Sequence, residues 1–498
     1  MCIYYTLNLV NMNILQELYR PSLSLLTDLY QLTMANGYWK NGMAKREAVF
    51  HLFFRKNPFK GGYAIAAGLE MAIGLMEGFS FPEDDIAYLQ TLKGNDGQAL
   101  FEADFLKFLQ ENPFECSVEA IPEGTVVFPH QPLIRIKGPL YQCQLLETAL
   151  LTVVNFQTLI ATKSARICKA AAGDTVLEFG LRRAQGIDGG ISASRAAYIG
   201  GCHATSNVLA GKLFDIPVKG THAHSWVMSF DSEMESFEAY AKAMPNNCVF
   251  LVDTYDTAEG VRKATEVGKW LRSNGHEMVG VRLDSGDLAE LSIEARKILD
   301  EAGFPDAKIV ASNNLNDDTI LELKRRGAKI SIWGVGTKLS TSYDQPALGG
   351  VYKLGAIRGK DGEWDFKVKL SEMLIKVSNP GLIQVRRYFK NGLPVADMLY
   401  NKEQEIKETQ LMDPVNAGES SLLPDHDDSE DLLIPIFENG KCVYQSPKLS
   451  DIRERTLQQL ADFPENVTTL GSPTEYPVGL EQNLYELKTS LIQKAKAQ

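Results

Sequence analysis

Positive charge, histidine and cysteine are all sparse in this sequence. The 498 residues carry 51 Lys and Arg against 63 Asp and Glu, a net charge of −12. That balance argues against a nucleic-acid or anionic-membrane surface, while leaving room for local basic pockets that hold small anions. The seven cysteines, Cys2, Cys116, Cys143, Cys168, Cys202, Cys248 and Cys442, are odd in number and scattered, with no Cys-x-x-Cys. They fit reduced thiols in a cytoplasmic protein better than a disulfide framework or a zinc ribbon. No apolar run approaches the length of a membrane span. The first residues, Met1-Cys2-Ile3-Tyr4-Tyr5, lack a basic stretch before their apolar one, so residues 1–20 read as a leader of little structure and not as a signal peptide. With 44% hydrophobic and 23% charged residues, the chain has the composition of a globular protein large enough for two or three domains.

In chain order, Ser24–Trp39 has apolar residues at helical spacing. Glu47–Phe54 reads as a strand that runs into the basic turn Arg55-Lys56-Asn57-Pro58-Phe59-Lys60-Gly61-Gly62, either a solvated loop or an anion-binding one. Helices are expected over Ile65–Gly78, Asp84–Leu92 and Ala99–Gln110, then antiparallel strands over Cys116–Ile121, Thr125–Phe128 and Leu133–Ile136. Leu140–Ala172 contains no Pro or Gly and reads as one long helix joining this unit to the next.

From there the pattern becomes strand, polar loop, helix. The strands expected are Thr175–Phe179, Ile216–Val218, Val249–Val252, Met278–Leu283, Lys308–Ala311 and Ile330–Trp333, with helices such as Thr257–Arg272 and Leu288–Glu301 between them. Such units imply a parallel sheet, and this many favour an irregular α/β barrel. After Gly350 the alternation stops. Val351–Leu354, Trp364–Lys369 and Leu382–Tyr388 are expected to return as antiparallel strands, Glu403–Glu430 to be acidic loop with a solvated Asp425-His426-Asp427-Asp428, and Leu449–Phe463 and Leu480–Lys496 to be helical. The expected organisation is an N-terminal tail (1–20), an α+β sandwich domain (21–145), an α/β barrel (146–349), strands returning to the sandwich (350–400) and a C-terminal appendage (401–498).

In parallel α/β folds chemistry collects at the carboxyl ends of strands. Here those ends carry Arg182 and Arg183, Lys219 with Gly220-Thr221-His222-Ala223-His224, Asp253-Thr254, Arg282 with Asp284-Ser285-Gly286-Asp287, Ser312-Asn313-Asn314, and Gly334-Val335-Gly336-Thr337. Each alone is most simply a cap or turn. Together they describe one rim. The Gly334-x-Gly336-Thr337 turn suits phosphate, whose oxygens take converging backbone N–H groups. Arg182, Arg183 and Arg282 offer bidentate charge, and Asp253, Asp284 and Asp287 can hold ribose hydroxyls or a magnesium ion that itself binds phosphates. The residues point to a barrel enzyme for a multiply phosphorylated sugar. Two rival readings remain at this stage: a metal-dependent amidohydrolase built on His222 and His224, and a nucleotide sensor that keeps the fold without the activity.

The motifs Leu26-Thr27-Asp28-Leu29-Tyr30-Gln31, Phe53-Phe54-Arg55, Glu178 to Gly186, Gly220-Thr221-His222-Ala223-His224-Ser225, Val281 to Leu288, Ser312-Asn313-Asn314 and Gly349 to Leu354 together resemble those of the barrel-type (type II) nicotinate phosphoribosyltransferases. The resemblance runs from about Leu25 to about Tyr352. It implies transfer of phosphoribose from phosphoribosyl diphosphate to nicotinate in NAD salvage, coupled to ATP hydrolysis through a phosphorylated His224, with magnesium. By the same resemblance Tyr30 and Thr221 contact nicotinate, Arg282 and Thr337 contact phosphoribose, and the protein is a homodimer with shared active sites. Arg182 is expected to join the nicotinate set, and Arg55, Arg183, Asn313, Gly334 and Gly336 the phosphoribosyl diphosphate set.

Overall fold

The computed structural model describes residues 22–416 and 418–497. The expected leader at 1–20, Cys2 included, lies outside the described residues. Three larger sheets and a long helix organise the rest.

The first sheet is antiparallel and seven-stranded, in the order Trp364–Phe366, Val351–Arg358, Glu47–Phe53, Ile134–Pro139, Ser117–Ala120, Ile434–Glu438 and Lys441–Cys442. Its central strand, EAVFHLF, is buried at every position after Glu47. A continuous apolar run of this kind is what a strand covered on both faces requires. Helices Leu69–Glu77, Glu83–Thr91 and Ala103–Glu111 share the core with Phe50 and Leu52, and on the other side Val49 packs with Leu382 while His51 Nε2 accepts the Ile383 N–H. The helix expected from Ile65 begins only at Leu69, because Ala64–Ile65 pairs with Val126–Val127 and Gly68 (φ 102°) turns the chain. Ile434–Glu438 differs more from expectation. It belongs to the stretch expected to stand apart, yet it extends this sheet beside Ser117–Ala120.

The second sheet is parallel. Its order is Ala204–Thr205, Thr175–Glu178, Ile332–Val335, Lys308–Ala311, Gly280–Leu283, Val249–Leu251. Within this sheet the last strand in chain order, Ile332–Val335, pairs with the first, Thr175–Glu178. The edge strands Ala204–Thr205 and Val249–Leu251 do not pair with each other, so strand hydrogen bonds do not close a barrel. The expected strand at Ile216–Val218 is reduced to one bridge, Val218 with Thr205. Pro217 lacks the N–H that a fuller ladder would use. The residues just before it, Leu213 and Phe214, close the helix Val208–Phe214.

A third, mixed sheet has the order Ser420–Leu422, Gln410–Met412, Val478–Leu480, Leu393–Asn401, Ile383–Lys390, Asp428–Asp431. It corrects two expectations. The strand expected at Leu382–Tyr388 forms a hairpin with Leu393–Asn401 in this sheet and does not return to the first. The acidic 403–430 stretch is not simply loop: Asp428 lies opposite Phe389, Asp427 accepts the Asn391 N–H, and Asp425 pairs with Lys390.

The segment expected as one helix is Leu140–Leu145 followed by Glu147–Ala171, divided at Leu146, whose own dihedrals stay helical. It runs between two hydrophobic cores. Thr158 and Thr162 on it accept the N–H groups of Ala67 and Ile65. A buried ion cluster completes the junction. Glu123 Oε1 accepts from Gly68 N (2.6 Å), Leu69 N (3.1 Å) and Arg195 Nη1 (2.8 Å), while its Oε2 accepts from Arg195 Nη2 (2.6 Å). Burial opposes the charge on Glu123, but Arg195 and the amides outweigh it and hold the carboxyl below its usual range. A depressed carboxylate adds stability above its unfolded pKa, and that stability is lost as the pH falls through the folded value. Glu123→Gln, which leaves the buried Arg195 guanidinium with the half-exposed Glu70 (2.6 Å) as its carboxylate partner, is expected to cost about 1.5–3 kcal/mol in denaturant unfolding at neutral pH. The difference from the parent protein should shrink as the medium is acidified. A cost under about 1 kcal/mol would remove this cluster from the account of stability.

Candidate functional site

The carboxyl ends of the parallel strands meet around Arg282, the third residue of the strand Gly280–Leu283. Its guanidinium donates through Nε to Ser312 Oγ (2.9 Å), through Nη1 to Thr221 Oγ1 (2.9 Å) and through Nη2 to Asp284 Oδ1 (3.0 Å). The ring of Phe179 lies 5.9 Å from the guanidinium carbon. One side chain thus gathers the ends of neighbouring strands and the Gly220–His224 segment. Ser312 also donates to Asp284 Oδ1. Asp284 N and Ser285 Oγ donate to Asp253 Oδ2, at 2.7 and 2.6 Å. Asp253 Oδ1 is buried and has no partner.

His224 opens the short helix His224–Met228. Its Nδ1 lies 3.1 Å from Thr254 Oγ1. Its Nε2 faces Asp284 Oδ2 at 3.7 Å and Asp253 Oδ1 at 3.9 Å, and the side chain remains 39% exposed. Two carboxylate oxygens, the buried one of Asp253 and the more open one of Asp284, and the imidazole nitrogen therefore converge. This pair of carboxylates fits magnesium, which binds through one or two carboxylates and completes its octahedron with phosphate and water oxygens. Asp287 does not fit, and that expectation is corrected. Its Oδ1 caps the helix Leu288–Glu301 through Ala289 N and Glu290 N, and its Oδ2 pairs with Arg326.

His222 has a different task. Its ring packs against Tyr240, Phe237 and Phe250. Its Nε2 accepts the N–H of Leu251, at 3.2 Å, on the free edge of the sheet. Burial pushes its pKa down to about 4, so the lone pair stays available to the backbone. A nitrogen already committed to an N–H is not a metal ligand, which removes the amidohydrolase reading of His222 and His224.

The remaining expectations divide. Thr221 and Arg282 meet directly. Thr337 and Gly336 lie on the turn into the helix Thr337–Ser340, next to Phe179: a Cβ on Gly336 would come within 3.2 Å of Phe179 O. Gly334 is a correction. The strand runs on to Val335, and a Cβ at Gly334 would meet the Phe179 ring at 2.6 Å. Glycine there admits an aromatic ring, not a phosphate. Arg182 and Arg183 are exposed on the turn after Phe179 and form no ion pair among the described residues. Asn313 is exposed with φ 89°, followed by Asn314 at φ 46°. Tyr30 and Arg55 are elsewhere. Tyr30 lines a cleft of about 370 Å³ with Asp28, Glu147 and Asn155. Arg55 lines a cavity of about 570 Å³ with Lys56, Lys60 and His130. Neither cavity includes a rim residue. Burial lowers the Arg55 pKa, and Arg55 Nε has no partner.

Sequence reasoning did not assign roles to Ser312, Ser285 or Thr254, all of which hold other rim groups. It also missed the buried carboxylate of Glu178, which receives Gly180 N, Ser194 Oγ and Thr205 Oγ1 and so fixes the turn that presents Arg182. The available signal was a hydroxyl or carboxylate at or just beyond a strand end, which is too common to select.

Because the His222 pKa falls on folding, the unfolded chain binds the extra proton between about pH 6.5 and about 4, and folding stability declines as the pH drops through that window. His222→Gln keeps an acceptor without titrating. Its stability should decline less steeply than that of the parent protein over this window, as read from denaturant midpoints. Parallel curves would assign the titration to other groups.

Three family models cover the chain: the nicotinate phosphoribosyltransferase N-terminal domain over residues 25–155, the nicotinate phosphoribosyltransferase family over 175–364, and the C-terminal domain over 384–488. The nicotinate phosphoribosyltransferase of Bacillus subtilis (strain 168) is 45% identical over 483 residues, 96% of each chain. That of Homo sapiens is 34% identical over 527 residues, covering 94% of this chain and 96% of the other. The crystal structure of human nicotinic acid phosphoribosyltransferase superimposes with a TM-score of 0.81 at 32% identity, over 93% of this chain and 99% of that one. The nicotinate-nucleotide pyrophosphorylase of Pyrococcus furiosus shares the fold, with a TM-score of 0.67 at 23% identity over 88% of this chain and 95% of that one. With family models spanning most of its length and relatives of this identity aligned almost end to end, the chain belongs to the nicotinate phosphoribosyltransferase family.

Proposed function

We propose that this enzyme transfers phosphoribose from phosphoribosyl diphosphate to the ring nitrogen of nicotinate, giving nicotinate mononucleotide and diphosphate, and that ATP hydrolysis through a phosphorylated His224 drives the cycle. The observation that carries the reading is the open Nε2 of His224 between Asp253 and Asp284, each with an oxygen to spare, beside an arginine that ties the rim together.

Departure of diphosphate leaves positive charge at the ribose C1, and the leaving group gathers negative charge. Arg282, with the free Arg182 and Arg183, meets that negative charge in a site assembled before the reaction. Nicotinate attacks with its own lone pair, so the rim needs no protein base for this step. Magnesium, held by Asp253 and Asp284 through the substrate phosphates, would supply further charge neutralisation when bound. Thr221 directs its hydroxyl hydrogen to His222 O and receives Arg282, so it is held firmly where nicotinate is expected.

The parallel sheet is read as an irregular barrel whose seam is spanned by residues 216–222 in place of a strand. The protein is read as a cytoplasmic homodimer. Tyr30 and Arg55 are the reason, since each lines a cavity apart from the rim, and a second copy would bring them to it. Arg55, Lys56 and Lys60 then add cations where phosphates arrive.

The purified protein with nicotinate, phosphoribosyl diphosphate, magnesium and ATP should release nicotinate mononucleotide. His224→Ala should retain slow transfer and lose both ATP hydrolysis and the stimulation by ATP. Absence of product with and without ATP would refute the reading, and binding of these ligands without turnover would favour a sensor. Arg282→Ala and Thr337→Ala should each raise the phosphoribosyl diphosphate requirement about tenfold or more, since a charge-assisted contact is worth roughly 1.5–3 kcal/mol. Arg282→Lys should recover little of the loss, because lysine cannot reproduce the three-way bond to Thr221, Ser312 and Asp284. Unchanged sugar kinetics in a folded Arg282→Ala protein would count against the assignment.

A further inference from the structure

One buried ammonium stands between the two turns that the proposed function gives to phosphate. Lys163, on the helix Glu147–Ala171, is 2% exposed. Its Nζ donates to Asp317 Oδ1 (2.5 Å) and to Asp344 Oδ2, and lies 5.1 Å from the centre of the Phe59 ring. Asp317 already has a second cation, since its Oδ2 accepts from Arg166 Nε at 2.8 Å. What Lys163 adds is Asp344, whose side chain is 35% exposed and has water available to it.

Asp344 follows the helix Thr337–Ser340 by four residues. A helix that short has little stability of its own, so its flanks set where Thr337 sits. Upstream is the strand Ile332–Val335. Downstream is a tight turn, with Ser342 at φ 48° and its Oγ donating to Gln345 O (2.7 Å). Asp344 fastens that turn to Lys163. The next residue, Gln345, accepts the Phe59 N–H through Oε1 at 2.9 Å. Phe59 and Lys60 have φ of 58° and 51°, a conformation that bulky residues rarely hold unless their surroundings impose it. Here Gln345 and the ammonium facing the Phe59 ring impose it. The turn held in this way carries Arg55, Lys56 and Lys60.

We propose that Lys163 is a positioning residue for phosphoribosyl diphosphate: by holding Asp344 and the Phe59 ring, it sets the Thr337 turn and the basic turn 55–62 where phosphate meets them. The inference rests on the proposed function and deepens it. Lys163 touches no substrate and acts only through Asp344 and Phe59. The sign of the effect separates this role from simple electrostatics. Asp344 is an anion close to a phosphate turn in sequence. Were it only a charged neighbour, its removal would favour an anionic substrate. As the tether of that turn, its removal weakens the same substrate.

Steady-state kinetics of the full-length protein, with phosphoribosyl diphosphate and nicotinate varied separately, test this. Asp344→Ala should raise the phosphoribosyl diphosphate requirement about fivefold or more, while kcat and the nicotinate requirement change by less than about twofold. Asp344→Asn keeps an oxygen for the Lys163 ammonium and should recover much of the loss. Lys163→Met should move the same constant in the same direction. A phosphoribosyl diphosphate requirement that is unchanged or lowered in Asp344→Ala overturns the inference and leaves the transfer reading intact, since that reading stands on the product made by the parent protein. Equal losses in both requirements and in kcat mark a general loosening and overturn it too. No product from the parent protein overturns the proposed function and the inference with it. If Lys163→Met does not fold, the two Asp344 variants decide.

Discussion

A parallel sheet that stops short of closing leaves a row of backbone N–H and C=O groups along each edge. Those groups need partners if they are buried. In this protein the requirement is met by a segment that is not a strand. Val218 bridges to Thr205 on one edge, and the imidazole of His222 accepts Leu251 N–H on the other. The segment carrying Thr221 and His224 is therefore anchored on both sides of the seam. Asp253 follows Leu251 by two residues, so the bond that satisfies the edge also sets the carboxylate opposite His224. Satisfying the backbone and placing the His224 ring are one solution to one constraint.

Within that frame the site is arranged by a few polar centres and little apolar packing. Arg282 has three different partners, each oriented by it and each placed at a different strand end or loop. Glu178 does the same for the neighbouring turn, with a backbone amide and two hydroxyls. Such centres cost desolvation, which their full complement of bonds offsets. What they provide is orientation fixed before substrate arrives, the condition under which fixed dipoles lower a barrier.

Much of this was legible in the amino-acid order. The strand–loop–helix alternation from Thr175 to Val335 could be followed because caps such as Asp256 and Asp287 mark the helix starts sharply. Strand ends were less sharp: Gly334 looked like a loop residue because nothing local reveals that Phe179 packs over it. Ala204–Thr205 is too short to show any periodicity. The two histidines of His222-Ala223-His224 are the same residue type two positions apart, and only the tertiary surroundings send one into an aromatic pocket and leave the other open. The acidic 403–430 stretch hid its strands for a related reason. Asp428–Asp431 is exposed along its length and held by backbone pairing to Ile383–Lys390, a partner that composition does not disclose.

The seven-stranded sheet has a consequence for how the molecule is made. Its three central strands come from the first part of the chain to be synthesised. One flank must wait for Val351–Arg358 and the other for Ile434–Glu438, which pair Ala48 with Ile357 and Ala120 with Ile434. While the ribosome works through the intervening residues, a nascent chain carries a half-built sheet with both margins uncovered. That is the kind of surface that recruits chaperones or finds another nascent chain. The parallel sheet draws its strands from one uninterrupted stretch and can complete itself meanwhile. For the N-terminal unit, native structure is a late event in translation: a sheet begun at Glu47 is finished only after Ile434–Glu438 and Lys441–Cys442 have been made.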